Sequence, residues 1–263
     1  MPFRPWVLAE VPYQFVKDNR YAAAVLPMGA TEPHNLHLPY GTDTYEVEEL
    51  AEQACATAYG KGAMVARLPV IPFGTETNLE RFPLAMNLNP STLRWVISDL
   101  VDSLDKSGIK KLLILNGHGG NDFKPLLREL YGKTPVQIFL CDWFKGLAAD
   151  AQREIFDSPG DHAGEMETSM GLAFFPDLVQ IDPITGDLAA DQGRMRATQI
   201  QAVNQGWVSI TRPWHLLTTN TGAGNPHLAT AEKGKKLMEI MVKRLSEFLI
   251  ELAELPMTDS FPY

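Results

Sequence analysis

The chain has 263 residues, 45% of them hydrophobic, and a formal net charge of -9. Its 23 Lys and Arg residues are scattered, which argues against a phosphate backbone as partner, and no apolar run nears the roughly 20 residues that span a bilayer. With an opening, MPFRPWVLAEVPYQF, that lacks the basic and apolar segments of a signal, the expectation is a soluble cytoplasmic protein of one domain over residues 1–263.

In chain order, four apolar runs rich in β-branched residues read as strands: AAAVLPMG from Ala22, MVARLPVIPFG from Met64, KKLLILNGHGG from Lys110 and PVQIFLCDWF from Pro135. Amphipathic stretches alternate with them. In STLRWVISDLVDSLDKSG, Leu93, Val96, Ile97, Leu100, Val101 and Leu104 share one helical face, with Ser91 as N-cap and Gly108 as the stop. Further helices are expected over 44–59, 121–131, 164–175 and from Ala229 to Leu252. The alternation predicts an α/β fold, a three-layer sandwich whose mostly parallel sheet is flanked by helices. The segment 177–226, rich in Gly, Pro and Gln and containing WVSITRPW, reads as an excursion or an oligomer arm. Cys55 and Cys141 show no C-x-x-C spacing and read as reduced thiols, so any metal falls to nitrogen and oxygen donors.

In such folds ligands gather where loops leave the carboxyl ends of the strands, and the polar clusters fall there. After the first strand comes GATEPHNLHLPYGTD. With Pro33 between them, Glu32 and His34 lie in extended backbone and project to one side, while His37 points away and stays outside the donor set. Carboxylates and imidazoles suit a divalent ion, and a carboxylate can bridge two; taken singly, each is as readily a surface-loop residue. The third strand runs into NGHGGN, where His118 is either a ligand or part of a backbone cradle for an anion. The lysine and hydroxyl of a phosphate loop are absent. In DHAGEMETS, Glu165 and Glu167 open a helix about 200° apart around its axis, so one of them faces the pocket, and either suits the helix dipole.

Together, EPHNLHLPYGTD, NGHGGN, DHAGEMETS and the later TGAGNPHLATAEKG resemble the creatininase (creatinine amidohydrolase) family over nearly the whole chain. The resemblance implies metal ligands at Glu32, His34, Asp43 and His118, with Asp43 bridging two divalent ions (zinc, manganese or iron), a catalytic histidine at His162, and a ring-like homo-hexamer. Creatininase itself carries a further carboxylate ligand two residues after the third-loop histidine. Gly120 stands there in this chain, and Glu167 is expected to supply the carboxylate and to share the catalytic role with His162.

A pair of divalent ions would activate water and stabilise the oxyanion formed at an amide carbonyl, with His162 carrying a proton to the departing nitrogen. The aromatic wall around creatinine is not reproduced, since Ser158 stands where creatininase has a tryptophan. Likewise GTETNLERFPLAMNL places Glu76 and Leu79 where relatives carry serine and histidine. Glu76, Asn78 and Arg81 are expected as a polar wall, with Gly119, Trp143 and Ser158 completing the substrate pocket. These departures point to a C–N bond in a small amide or cyclic amide, opened in deformylase or lactamase fashion, rather than to creatinine. The alternatives are a non-catalytic, flavodoxin-like module that binds nucleotide or phosphate, and an assembly scaffold.

Overall fold

The computed structural model describes residues 2–263. In chain order it contains α1 (Tyr13–Asp18), β1 (Ala23–Met28), α2 (Thr42–Gly60), β2 (Val65–Arg67), α3 (Pro90–Lys106), β3 (Lys111–Asn116), α4 (Lys124–Leu130), β4 (Gln137–Asp142), α5 (Ala149–Ile155), α6 (Glu165–Phe174), the short α7 (Gln201–Asn204) and α8 (Trp214–Leu217), and α9 (Ala231–Glu254). The four strands form one parallel sheet in the order β2-β1-β3-β4. All four expected strands and the five main helices are present.

The apolar runs are continuous because both faces of the sheet are covered, as parallel sheets require. Ala23 and Val25 of β1, with Leu113 and Leu115 of β3, pack under α2, α5, α6 and α9. Their alternates Ala24, Leu26, Met28, Leu112 and Ile114 pack under α3 and α4. The result is three layers. Of the two edge strands, β2 is buried and β4 only half-buried, partly screened by Phe248 and Phe261.

Helix α3 begins earlier than expected. Its N-cap is Asn89, in extended backbone, and Pro90 takes the first helical position, where its fixed φ fits and its missing N–H costs nothing. Ser91 therefore lies inside the helix. Gly108, at φ 77°, ends it as expected. Cys55 in α2 is buried, Cys141 in β4 is half-buried, and both are free thiols. Among the described residues no helix is long and apolar enough to cross a membrane.

Register fixes where the loops emerge. Met28, Asn116 and Asp142 stand side by side at the carboxyl ends of β1, β3 and β4. With β2 and β3 on opposite sides of β1, the strand order reverses between β1 and β3, the place where open α/β sheets hold ligands.

Candidate metal centre and active site

The chain leaves β1 in an irregular loop that Glu32 N–H closes on the Tyr40 carbonyl at 3.1 Å, before α2 starts with Asp43 in its first turn. Gly117, just past β3, sits against that turn. A Cβ there would lie 2.8 Å from Val47 Cβ and 2.9 Å from the Asp43 carbonyl, so only glycine lets the two loops close and set His118 beside Asp43. Asn116 fastens the turn: its Oδ1 accepts from His118 N–H at 3.2 Å and from Asn121 Nδ2 at 3.0 Å, and its Nδ2 donates to the His118 carbonyl at 2.9 Å.

Glu32, His34, Asp43 and His118 are thereby brought together, with exposures of 1%, 0%, 2% and 5%. Two donor groups share Asp43. On one side, His118 Nδ1 lies 2.9 Å from Asp43 Oδ2 and 3.2 Å from Glu32 Oε1. On the other, His34 Nε2 lies 3.2 Å from Asp43 Oδ1, and Glu167 completes a cluster with them in which all donor atoms lie within 4.8 Å. Ligands at about 2.1 Å around a tetrahedral ion stand about 3.4 Å apart, so spacings near 3 Å suit shared coordination.

Three buried histidines meet at the centre, of which His118 and His162 line the cavity, and each spends one ring nitrogen on a backbone carbonyl: His34 Nδ1 on Glu32 at 3.0 Å, His118 Nε2 on Thr75 at 3.2 Å, His162 Nε2 on Pro33 at 3.0 Å. A carbonyl only accepts, so that nitrogen carries the hydrogen. The other nitrogen of each ring is left toward carboxylates, and Glu32 Oε2 and Asp43 Oδ2 have no hydrogen-bond partner. Lone pairs converging in a buried space call for a cation. A proton can serve: burial opposes charge on His34, but Asp43, with Glu167 and Glu32, lifts it to about 10. Burial likewise opposes charge on His118, and Glu32, Asp43 and Glu76 raise it well above the ordinary value. Glu32 is raised by burial, partly offset by His118, and Glu167 is pushed to about 7 by burial, with His34 opposing and Asp43 adding to the rise. Divalent ions and protons compete for such lone pairs, and the donor set fits the ions.

His162 is different. Its ring stacks on His34 at 4.1 Å and meets the edge of Trp214 at 5.0 Å, while burial and then the charge of His34 push it down to about 3. It is neutral, with Nδ1 3.7 Å from Glu32 Oε1.

The cavity above these groups has a volume of about 390 Å³ and is also lined by Glu76, Asn78, Gly119, Trp143, Glu167 and Arg212. Of the two glutamates on α6, Glu167 faces it and accepts the Ala163 N–H. Glu165 turns away to the Ser158 N–H and Lys233. Ser158 does not line the cavity, because that contact ties its backbone to the far side of α6. Arg81 is exposed and outside the lining as well. Trp143 is a buried wall, and its indole N–H has no partner among the described residues. His37 stays outside the donor set, with Nε2 2.8 Å from Thr168 Oγ1.

The segment 177–226 reads in the sequence as an excursion or an oligomer arm. Its C-terminal part folds back over the site: Trp214 is buried against His162, Ala223 N–H donates to the His162 carbonyl at 2.7 Å, and Thr221 Oγ1 donates to the Pro33 carbonyl at 2.9 Å while accepting Asn35 N–H at 2.9 Å. Asn35, Ala163 and Thr221 adopt φ of 54°, 48° and 66° beside the donor histidines; such backbone in a β-branched residue is a strained state that the surroundings impose. Trp214 and Arg212 were missed, as was Glu46, a buried carboxylate without hydrogen bonds that burial and then Glu167 and Asp43 push far up. The RPW of WVSITRPW, an aromatic beside a cation and a proline in a polar stretch, was the available signal.

A family model described as creatinine amidohydrolase matches residues 12–249. The crystal structure of a candidate creatinine amidohydrolase from Bacteroides fragilis superposes with a TM-score of 0.87 at 33% identity, covering 97% of this chain and 99% of that one. A manganese creatininase structure superposes with a TM-score of 0.70 at 19% identity, covering 96% of this chain and all (100%) of that one. The mycofactocin precursor peptide peptidase of Mycolicibacterium smegmatis is 28% identical over 226 residues, 83% of this chain and 80% of its own. With that fold, and a family-model match over residues 12–249, the chain belongs to the creatininase family.

Proposed function

We propose that the protein is a metal-dependent hydrolase that cleaves a C–N bond in a small amide or cyclic amide. The observation that carries this reading is the shared orientation of three buried histidines, each held through one nitrogen by a backbone carbonyl and presenting the other to carboxylates. Glu32, Asp43 and His118 would hold one divalent ion, and His34, Asp43 and Glu167 a second, with zinc, manganese or iron all suited to mixed nitrogen and oxygen donors. When bound, such ions supply Lewis acidity, activating water and polarising a carbonyl.

The chain's own residues do the rest. His162, fixed by Pro33 with its hydrogen on Nε2, takes a proton at Nδ1 and delivers it to the leaving nitrogen. Trp214 holds that ring in place and, with Trp143, walls the cavity against bulk water. Asn78 and Gly119 line the same cavity and would contact the substrate. The family model described as creatinine amidohydrolase and a peptide peptidase among the similar proteins support amide cleavage as the reaction class.

The phosphate-binding alternative is disfavoured. In the 116–121 loop, Gly117 N–H is taken by the Met28 carbonyl at 2.8 Å, His118 N–H by Asn116 and Asn121 N–H by the His118 carbonyl at 3.3 Å. The cavity is floored by carboxylates, which repel an anion. Thermal melting separates the two: a chelator should lower the melting temperature of protein purified without chelator, and added phosphate should not raise it. The reverse pattern would sink the metal reading.

A further inference from the structure

We propose that Glu76 is a ligand of the metal centre: its carboxylate joins Glu32, Asp43 and His118 around one divalent cation instead of forming a wall for substrate. This rests on the metal-dependent reading above and adds a fourth carboxylate to it.

The turn after β2 is fastened on both sides of Glu76. Thr75 N–H donates to Asn121 Oδ1 at 3.0 Å, and Glu76 N–H donates to Asn87 Oδ1 at 2.8 Å. The side chain is thereby carried onto His118, 1% exposed, with Oε1 2.9 Å from His118 Nε2. The hydrogen of that ring nitrogen goes to the Thr75 carbonyl, and neither Glu76 oxygen has a hydrogen-bond partner. Glu76, Glu32 and His118 each present a donor atom within 4.8 Å of the others. Gly120 makes the approach possible, because a Cβ there would collide with His118 Nε2 and the Thr75 carbonyl.

Charge points the same way. Glu32, Asp43, Glu76 and Glu167 all line the cavity, and among the described residues no Lys or Arg nitrogen comes within 4.0 Å of any of them. In the ionised state that ligation requires, these four carboxylates match the charge of two divalent cations. A carboxylate reserved for substrate would stand buried beside three others before substrate arrives, with only the His118 ring against it, a crowding that a divalent cation relieves.

The test uses the full chain, stripped of metal by chelator and titrated with Mn²⁺ by calorimetry, for wild type, Glu76→Gln and Glu76→Ser. Glu76→Gln should keep the fold by circular dichroism and lose affinity for one ion by roughly tenfold or more, the range seen when groups around a metal are altered. Adding Mn²⁺ should raise the melting temperature of Glu76→Gln by less than it raises that of wild type. Should the glutamine variant not fold, Glu76→Ser carries the same reading. A variant that binds Mn²⁺ as wild type does overturns the proposal and returns Glu76 to substrate contact. Wild type that binds neither Mn²⁺, Zn²⁺ nor Fe²⁺ overturns the metal-dependent reading itself.

Discussion

Along β1 and β3, Ala23 to Leu26 and Leu112 to Leu115 are buried among apolar neighbours on both faces. Beyond the strand ends, in the loops and the first turn of α2, Glu32, His34, Asp43 and His118 are buried almost as deeply among one another. The first region satisfies itself, because removing apolar surface from water is favourable with no partner specified. The second does not. Its lone pairs converge without enough hydrogens between them, so its burial is tolerable only with protons or metal ions in place. One end of the sheet makes the fold stable; the other makes it dependent on a ligand.

The largest expected effect separates chemistry from both. His162→Ala should lower hydrolysis, measured over a panel of small formamides and lactams, by about 10² to 10⁴-fold, the range for a lost acid–base group. Metal content should hold. Loss of bound metal with activity would place His162 among the ligands.

Next comes the self-sufficient end. Leu113→Ala should cost about 2–5 kcal/mol in urea unfolding, by the same amount in chelator as in Mn²⁺, because Leu113 packs under α2 and α9 and touches no donor. A metal-dependent cost would blur the division between the two regions. Wild type itself should gain about 2.7 kcal/mol per bound ion when free Mn²⁺ reaches 100 times that site's dissociation constant, read as a shift of the same unfolding curve, and lose it on chelation. The smallest effect sharpens the boundary of the site: Ser158→Ala should change stability by no more than about 0.5 kcal/mol and leave metal binding untouched, since only its backbone N–H makes a contact.

The same division explains what the sequence made legible. Strands buried on both faces announce themselves as continuous apolar runs, and α3 announces itself by its spacing. Glu32, His34, Asp43 and His118 were readable because donor-type residues sit just past strand ends, where topology gathers them. Glu76 was legible as a cavity residue but not by its neighbour, because its approach to His118 depends on Gly120 and on the Thr75 carbonyl across two loops. Trp214 and Thr221 reach the site from far along the chain through irregular backbone, which carries no periodicity. Ser158 misled for a related reason: likeness to a relative located the residue but not the Glu165 contact that turns it away.

The most direct measurement is elemental analysis of wild type and Asp43→Asn, purified in parallel without chelator. Asp43 faces His34 through one oxygen and His118 through the other, so a single carboxylate ties both donor groups together. Wild type should carry about one to two divalent ions per chain, and Asp43→Asn, still folded, should lose most of them. An Asp43→Asn protein with undiminished metal, or a wild type with none, would contradict a centre built on that residue.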